Sequence, residues 1–243
     1  MAKESQALIK ASKQLTRDLE DLNFSEPVAF VYNPLAYAGK PHRTFLERFG
    51  NSKKRVVFLG MNPGPFGMAQ TGVPFGEIAA VKDWMGINEH VEKPEAECPK
   101  RPIEGFACTR SEVSGRRLWG LAAERFKTPE AFFADHFVIN YCPLVWMEEG
   151  GRNITPDKLP AAEMEPVHKA CADHLAVALE ILEPDWGIGV GAYAEKQLVA
   201  TVSSLDATIQ TGKILHPSPA SPAANKGWAE KATAQLEELG VWN

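Results

Sequence analysis

Two glycine- and proline-dense segments hold the side chains best placed to do chemistry. Gly60 to Gly76 reads GMNPGPFGMAQTGVPFG and begins where the apolar run Arg55 to Gly60 stops. His216 to Trp228 reads HPSPASPAANKGW and follows the short run Lys213-Ile-Leu215. Both place polar groups and turn formers directly beyond a strand end, where an α/β sheet gathers its ligands and its catalytic loops.

In the first segment Asn62 precedes Pro63 and Gly64, so its amide sits on a stiff turn that a ligand can approach closely. An amide is no strong base, but it can orient a water. It therefore suits a reaction whose leaving group departs largely before water attacks; the alternative is an Asn that stabilises its own turn. His216 precedes Pro217, which biases it to an extended conformation. Its imidazole could donate a hydrogen bond to a departing anionic oxygen, or it could be an ordinary surface histidine. Asn140, in FVINYCPL, falls near the end of an apolar run and would be costly to bury unpaired. It either ties down backbone or reads a ligand edge with one donor and one acceptor. Phe75 is a stacking platform or a core aromatic.

The elements that must position these groups follow from periodicity. Residues 4 to 22 read as an amphipathic helix with Leu8, Ile9, Leu15 and Leu19 on one stripe. Short strand-like runs follow at Arg55 to Gly60, His136 to Cys142, Asp185 to Gly191 and Ile209 to Leu215. Helical segments between them, at Ile78 to Met85, Val113 to Phe126, Pro129 to Ala134, Pro160 to Leu182 and Ala192 to Thr201, are long enough to cross over between parallel strands, and Ala223 to Leu239 closes the chain. The expected architecture is a three-layer α/β/α sandwich with a central, mostly parallel four-stranded sheet. Residues 1 to 243 read as one domain with the N-terminal helix appended. Glu92 to Gly105 reads as a surface loop.

At 243 residues, 44% of them hydrophobic, the chain can bury a sizeable core. No run approaches the roughly 18 to 20 apolar residues of a membrane span, and the polar N-terminus does not resemble a signal peptide, so the expectation is a soluble intracellular protein. Cys98, Cys108, Cys142 and Cys171 show no CxxC pairing and read as free thiols. His168, Cys171 and His174 sit three apart, but helical spacing swings the third off the face and argues against zinc. The net charge of −5 leaves room for local basic clusters, and Lys53 to Arg55, Lys100-Arg101, Arg110, Arg116-Arg117 and Lys226 lie near the two segments.

Taken together these segments resemble the single-strand-selective monofunctional uracil-DNA glycosylases, the SMUG branch of the uracil-DNA glycosylase superfamily. The similarity extends through KRP at Lys100, SEVSG from Ser111 to Gly115, NYCPL from Asn140 to Leu144, GRN from Gly151 to Asn153 and GVG from Gly189 to Gly191, spanning roughly residues 27 to 240. It leaves the N-terminal helix without a counterpart. The resemblance implies that Asn62 positions the hydrolytic water, His216 stabilises the uracil leaving group through O2, and Asn140 reads the uracil edge. Phe75 would stack on the base, with Met61, Gly64 and Met68 around it and Gly64 leaving room at C5 for substituents such as hydroxymethyl. Pro217, Ser218, Pro219, Ala220, Ser221 and Lys226 would face DNA, single-stranded or duplex.

The family resemblance implies hydrolysis of the N-glycosidic bond by a monomer that uses no cofactor and no metal, on a base extruded from the stack. The cell compartment would be the nucleoid-associated cytoplasm of a bacterium or the nucleus of a eukaryote. No lysine amine is aimed at the sugar, so the strand is left intact. One departure is that Ala220 stands where the family commonly has a wedge arginine, with Ser221 beside it. Two alternatives stay open: a related enzyme preferring deaminated purines, and a silent module that only recognises damaged bases.

Overall fold

A computed structural model describes all 243 residues. In chain order the elements are α1 (Lys3–Asp18), β1 (Phe30–Tyr32), α2 (Pro34–Tyr37), α3 (Gly39–Phe49), β2 (Val56–Gly60), α4 (Met68–Thr71), α5 (Val113–Phe126), α6 (Pro129–Asp135), β3 (His136–Asn140), β4 (Val145–Met147), β5 (Asn153–Ile154), α7 (Ala161–Leu182), β6 (Trp186–Val190), α8 (Ala192–Val202), β7 (Gln210–Ile214) and α9 (Trp228–Glu238). The four expected strands form one sheet in the order β3-β2-β6-β7, parallel throughout. Every residue of β2 and β3 is buried, and β2 accordingly reads as an unbroken apolar run, because a parallel sheet is covered on both faces; β3 is apolar from Phe137 to Ile139 between the buried His136 and Asn140. Phe58 of β2 faces Leu118, Ala122, Phe132 and Trp228 from α5, α6 and α9, whereas Phe137 of β3 faces the side of Leu8 and Phe45 from α1 and α3. Helices therefore cover both faces, as expected, and no helix is long and apolar enough to cross a membrane.

Several features depart from the sequence reading. A second, antiparallel sheet, β1-β4-β5, is built from strands of two or three residues, too short for any period to show. Glu92 to Gly105 is irregular but not merely superficial: Cys98 and Ile103 are buried against Tyr32 and Tyr37, and the Tyr32 hydroxyl both donates to the Arg101 carbonyl (2.8 Å) and accepts from the Cys98 N–H (2.8 Å). The last helix begins at Trp228 and not at Ala223, because Gly227 adopts φ +75°, a left-handed turn that ends the preceding segment. The Lys53 to Arg55 cluster enters β2 at the edge opposite the active-site loops. There Lys53 pairs with Glu183, Lys54 donates to the Phe133 carbonyl and Arg55 donates to the Val241 carbonyl, so this cluster serves the fold. All four cysteines are free and buried, and no group of three or more His, Cys, Asp or Glu side chains is arranged to hold a metal ion.

Desolvation holds three histidines in the neutral form, each at a pKa of about 4: the buried His136 and the half-buried His42 and His174. His136 accepts from the Trp242 indole at Nε2 (3.0 Å), which leaves its Nδ1–H to donate to the Phe132 carbonyl (3.0 Å). The folded pKa lies below the unfolded value, so the stability these groups allow is complete above pH about 6.5 and is lost as pH falls toward 4. Each should cost up to roughly 1.4 kcal/mol per pH unit in that window. Thermal melts from pH 7 to pH 4 should show a steep fall in midpoint, and a flat profile would contradict the assignment.

Candidate active site

The loops that follow β2, β3 and β7 meet at the carboxyl edge of the parallel sheet and, with the segment entering α5 and residues of and after β5, enclose a cleft of about 370 Å³. Met61, Asn62, Gly64, Met68, Phe75, Asn140, His216, Ser218 and Pro219 line it, so both sequence segments and the end of β3 converge on one place. Two backbone bonds lock the first two loops together: the Tyr141 N–H donates to the Gly60 carbonyl and the Cys142 N–H to the Met61 carbonyl, both at 2.9 Å.

Asn62 is oriented by that lock. Its Nδ2 donates to the Leu144 carbonyl at 3.1 Å, which can only accept, so the amide is fixed with Oδ1 as the atom left without a protein donor. His216 is fixed in the same manner. The Ser218 N–H donates to its Nδ1 at 3.1 Å, so the neutral ring carries its proton on Nε2. Burial lowers the pKa of this imidazole and keeps it neutral at neutral pH. Gly191, at φ +93°, allows the ring its position, because a Cβ there would lie 3.0 Å from His216 Cβ and 3.2 Å from Cδ2.

Asn140 is buried, and its Nδ2 reaches only the Met68 sulfur, at 3.3 Å. A thioether is a weak acceptor, so the donor remains largely available to a ligand. Phe75 is held beside it at φ +51°, with its carbonyl accepting from the Trp119 indole (3.0 Å) and its ring 6.5 Å from the His216 ring. Gly60 makes this arrangement possible. A Cβ there would stand 2.3 Å from Asn140 Oδ1 and 2.6 Å from Phe75 Cε2. Gly60→Ala should therefore displace both side chains and lower activity by at least about tenfold, since misplacement by about 1 Å can cost on the order of 10²-fold. Activity equal to wild type would show that neither position is critical.

Other expected residues stand differently. Pro217 is buried and its carbonyl accepts from Arg117 Nη1 at 2.7 Å, so it anchors the loop. Arg117 is spent internally, since its Nη2 also donates to Asn225 Oδ1 (2.9 Å) while Asn225 Nδ2 donates to the Pro219 carbonyl (2.8 Å). Ala220 and Lys226 are exposed at the tip of the same loop and Ser221 is half-buried, all three outside the cleft lining.

Sequence reasoning gave no role to Glu112, Asn153, Thr155 and Phe66, which also line the cleft, or to Gln70 beneath it. Glu112 caps α5, accepting from the Ser114 N–H (3.2 Å) and the Gly115 N–H (2.8 Å), and burial raises its pKa. Its carboxylate borders the glycine-rich loop, where a Cβ on Gly67 would lie 3.0 Å from Glu112 Cγ. Gln70 is buried with all its bonds made: it donates to the Pro65 and Pro102 carbonyls and accepts from the Glu104 and Gly105 N–H groups.

Comparison with known proteins bears on what such a cleft is for. Residues 47–238 match the model of the uracil DNA glycosylase superfamily. The chain is 46% identical over 237 residues to a single-strand selective monofunctional uracil DNA glycosylase of Bos taurus, covering 98% of this chain and 87% of the relative. The chain belongs to the uracil-DNA glycosylase superfamily. A second single-strand selective monofunctional uracil-DNA glycosylase, from Rattus norvegicus, is 44% identical with 98% and 85% of the two chains covered. Because these alignments leave six residues at most outside, α1 lies largely within them, contrary to the expectation of a helix without a counterpart. Among superfamily structures, the crystal structure of wild-type Pedobacter heparinus SMUG2 shares the fold at a TM-score of 0.70 and 17% identity, with all of both chains covered.

Proposed function

We propose that this protein is a monofunctional uracil-DNA glycosylase that hydrolyses the N-glycosidic bond of deoxyuridine in DNA, in single strands and in duplexes, and that it also accepts uracils carrying 5-substituents such as hydroxymethyl. The observation that carries the reading is the pair of pre-set groups across one cleft: Asn62, with Nδ2 spent on Leu144, and His216, with Nδ1 spent on Ser218. Each has only the atom that the chemistry needs left over.

With uracil extruded into the cleft, the bond between C1′ and N1 breaks, and its electron pair goes to the base as an anion delocalised onto O2. His216 Nε2–H donates to that oxygen, an interaction that strengthens as charge develops. Asn62 Oδ1 accepts from a water poised beside C1′, which adds to the oxocarbenium-like sugar and passes a proton through solvent to the uracil anion. The products are free uracil and an abasic site. Asn140 faces the base edge with one donor and one acceptor, and Phe75 supplies an apolar face for the ring.

The test is incubation with single-stranded and duplex oligonucleotides bearing uracil, 5-hydroxymethyluracil, hypoxanthine or xanthine, followed by alkaline cleavage of abasic sites. Cleavage at uracil and hydroxymethyluracil is expected, without an adduct on borohydride trapping. Cleavage confined to the purines, or a trapped adduct, would overturn the reading. The C5 assignment has its own check. A Cβ on Gly64 would meet nothing closer than Glu112 at 3.9 Å, so a larger side chain can enter the cleft there. Gly64→Tyr should suppress hydroxymethyluracil excision at least about tenfold more than uracil excision, the scale of discrimination expected from steric exclusion in a pocket. Parallel losses would place C5 elsewhere.

A further inference from the structure

Phe66 stands at the mouth of the cleft, where it is half-buried and lines the wall with its neighbours Pro65 and Gly64. Two guanidinium groups lie over its ring: Arg110 Cζ at 4.8 Å and Arg101 Cζ at 5.4 Å from the centroid. They come from different stretches of chain, and neither is in an ion pair. Six of this molecule's ten arginines lack one, so what sets these two apart is the single ring they share. Of its ten arginines, Arg43, Arg48, Arg55 and Arg152 face carboxylates, while Arg17, Arg117 and Arg125 donate to Gln14, Pro217 and Asn243. The three that remain are Arg101, Arg110 and Arg116, and Arg116 reaches only the Ser111 hydroxyl, itself in the cleft wall, at 3.3 Å.

Arg110 is exposed and its side chain makes no hydrogen bond to the protein. Arg101 donates from Nη1 to the Lys100 carbonyl at 2.9 Å, yet its Nε is buried without a partner. Its backbone is fixed by the Tyr32 hydroxyl on the carbonyl and by its own N–H on the Cys98 carbonyl (2.9 Å). A guanidinium over an aromatic ring engages through its face and keeps its in-plane N–H groups for a planar or tetrahedral oxyanion. In a chain of net charge −5, such unpaired positive groups beside the cleft mark where an anion is to be met.

We propose that Phe66, Arg101 and Arg110 form a phosphodiester clamp for the DNA strand beside the extruded nucleotide. Phe66 orders the two guanidinium groups, and they hold one or two backbone phosphates next to the base pocket. The clamp rests on the proposed action on DNA but assigns residues that this action does not by itself name. It acts on the strand that carries the target, so it needs no complementary strand.

The experiment measures affinity for single-stranded oligonucleotides holding one 2′-fluorinated deoxyuridine, which resists cleavage, with neutral methylphosphonate linkages placed one at a time around it. Wild type is expected to lose about five- to tenfold at one or two linkages. Arg110→Gln and Arg101→Gln should lose less than twofold there and should flatten the dependence of log affinity on log salt by about 0.7 per arginine removed. Phe66→Leu keeps both charges, so its salt slope should stay while its linkage discrimination falls. Arg43→Gln on α3 serves as the remote control, and melting curves establish that each variant is folded. The clamp is overturned if Arg110→Gln and Arg101→Gln lose as much as wild type at every linkage, or if Arg43→Gln flattens the slope equally. A wild type that fails to excise uracil would refute the proposed function instead, and the linkage scan would still report on the clamp.

Discussion

Asn62→Ala is expected to reduce uracil excision by on the order of 10²-fold or more while leaving affinity for uracil-containing DNA within a few-fold of wild type. The amide is oriented by a single bond to the Leu144 carbonyl and presents Oδ1 to the cleft, so what it contributes is the placement of a water. That contribution is realised as the water attacks and hardly at all in the bound ground state. Removing the side chain frees a partly buried carbonyl that water in the cleft can reach, so stability should change by only about 1 kcal/mol. Single-turnover rates and equilibrium binding, measured on the same oligonucleotide, separate the two effects. A rate within tenfold of wild type would remove Asn62 from the mechanism, and a matching loss of binding would make it a substrate-holding group.

His216→Ala is expected to cost a factor on the order of 10² to 10³ in rate, the usual range for losing one donor to a developing oxyanion. The structure adds a pH dependence. Burial lowers the pKa of His216, so the imidazole is neutral at pH 7 and donates from Nε2 while Nδ1 is occupied by the Ser218 N–H. The rate should be level from pH 8 down past 6.5, the ordinary value for histidine. Below that, protonation at Nδ1 would expel the Ser218 N–H and disturb the loop. A rate that instead tracks a titration centred at or above 6.5 would show that the charged ring is the working form. An unchanged rate in His216→Ala would move leaving-group stabilisation to another donor.

The parts of this site that were legible in the sequence are those where one residue type is needed at one place beyond a strand end. Asn62, His216, Asn140 and Phe75 could be nominated because Pro and Gly neighbours and an interrupted apolar run mark them. The central strand β2 was legible for a related reason: burial on both faces leaves Val56 to Leu59 without polar interruption. What could not be read depends on contacts between distant segments. Glu112 is not among the usual capping residues, and its place beside Gly67 follows only from where α5 begins. Arg117 reads as one more surface charge until the fold brings it to Pro217, a hundred positions along the chain. The strands of β1, β4 and β5 are too short for alternation to appear, and Cys98 and Ile103 are buried by a segment whose composition is that of a loop. The basic clusters looked alike in sequence; only their partners distinguish Lys53 to Arg55, which brace the fold, from Arg101 and Arg110 at the cleft.

Helix α5 touches the glycine-rich loop through its cap Glu112, the His216 loop through Arg117, and Phe75 through Trp119. These three residues span barely two turns. One inserted or deleted residue between them would rotate everything beyond it by about 100°, turning Arg117 and Trp119 away from their partners at once. The length of this stretch should therefore be intolerant of insertion. The turn at residues 203–208, which joins α8 to β7 at the far edge of the sheet, should accept extra residues readily. It follows that a reporter peptide or an affinity tag meant to leave the enzyme working belongs in that turn, and that length variation among natural relatives should accumulate there and not in α5.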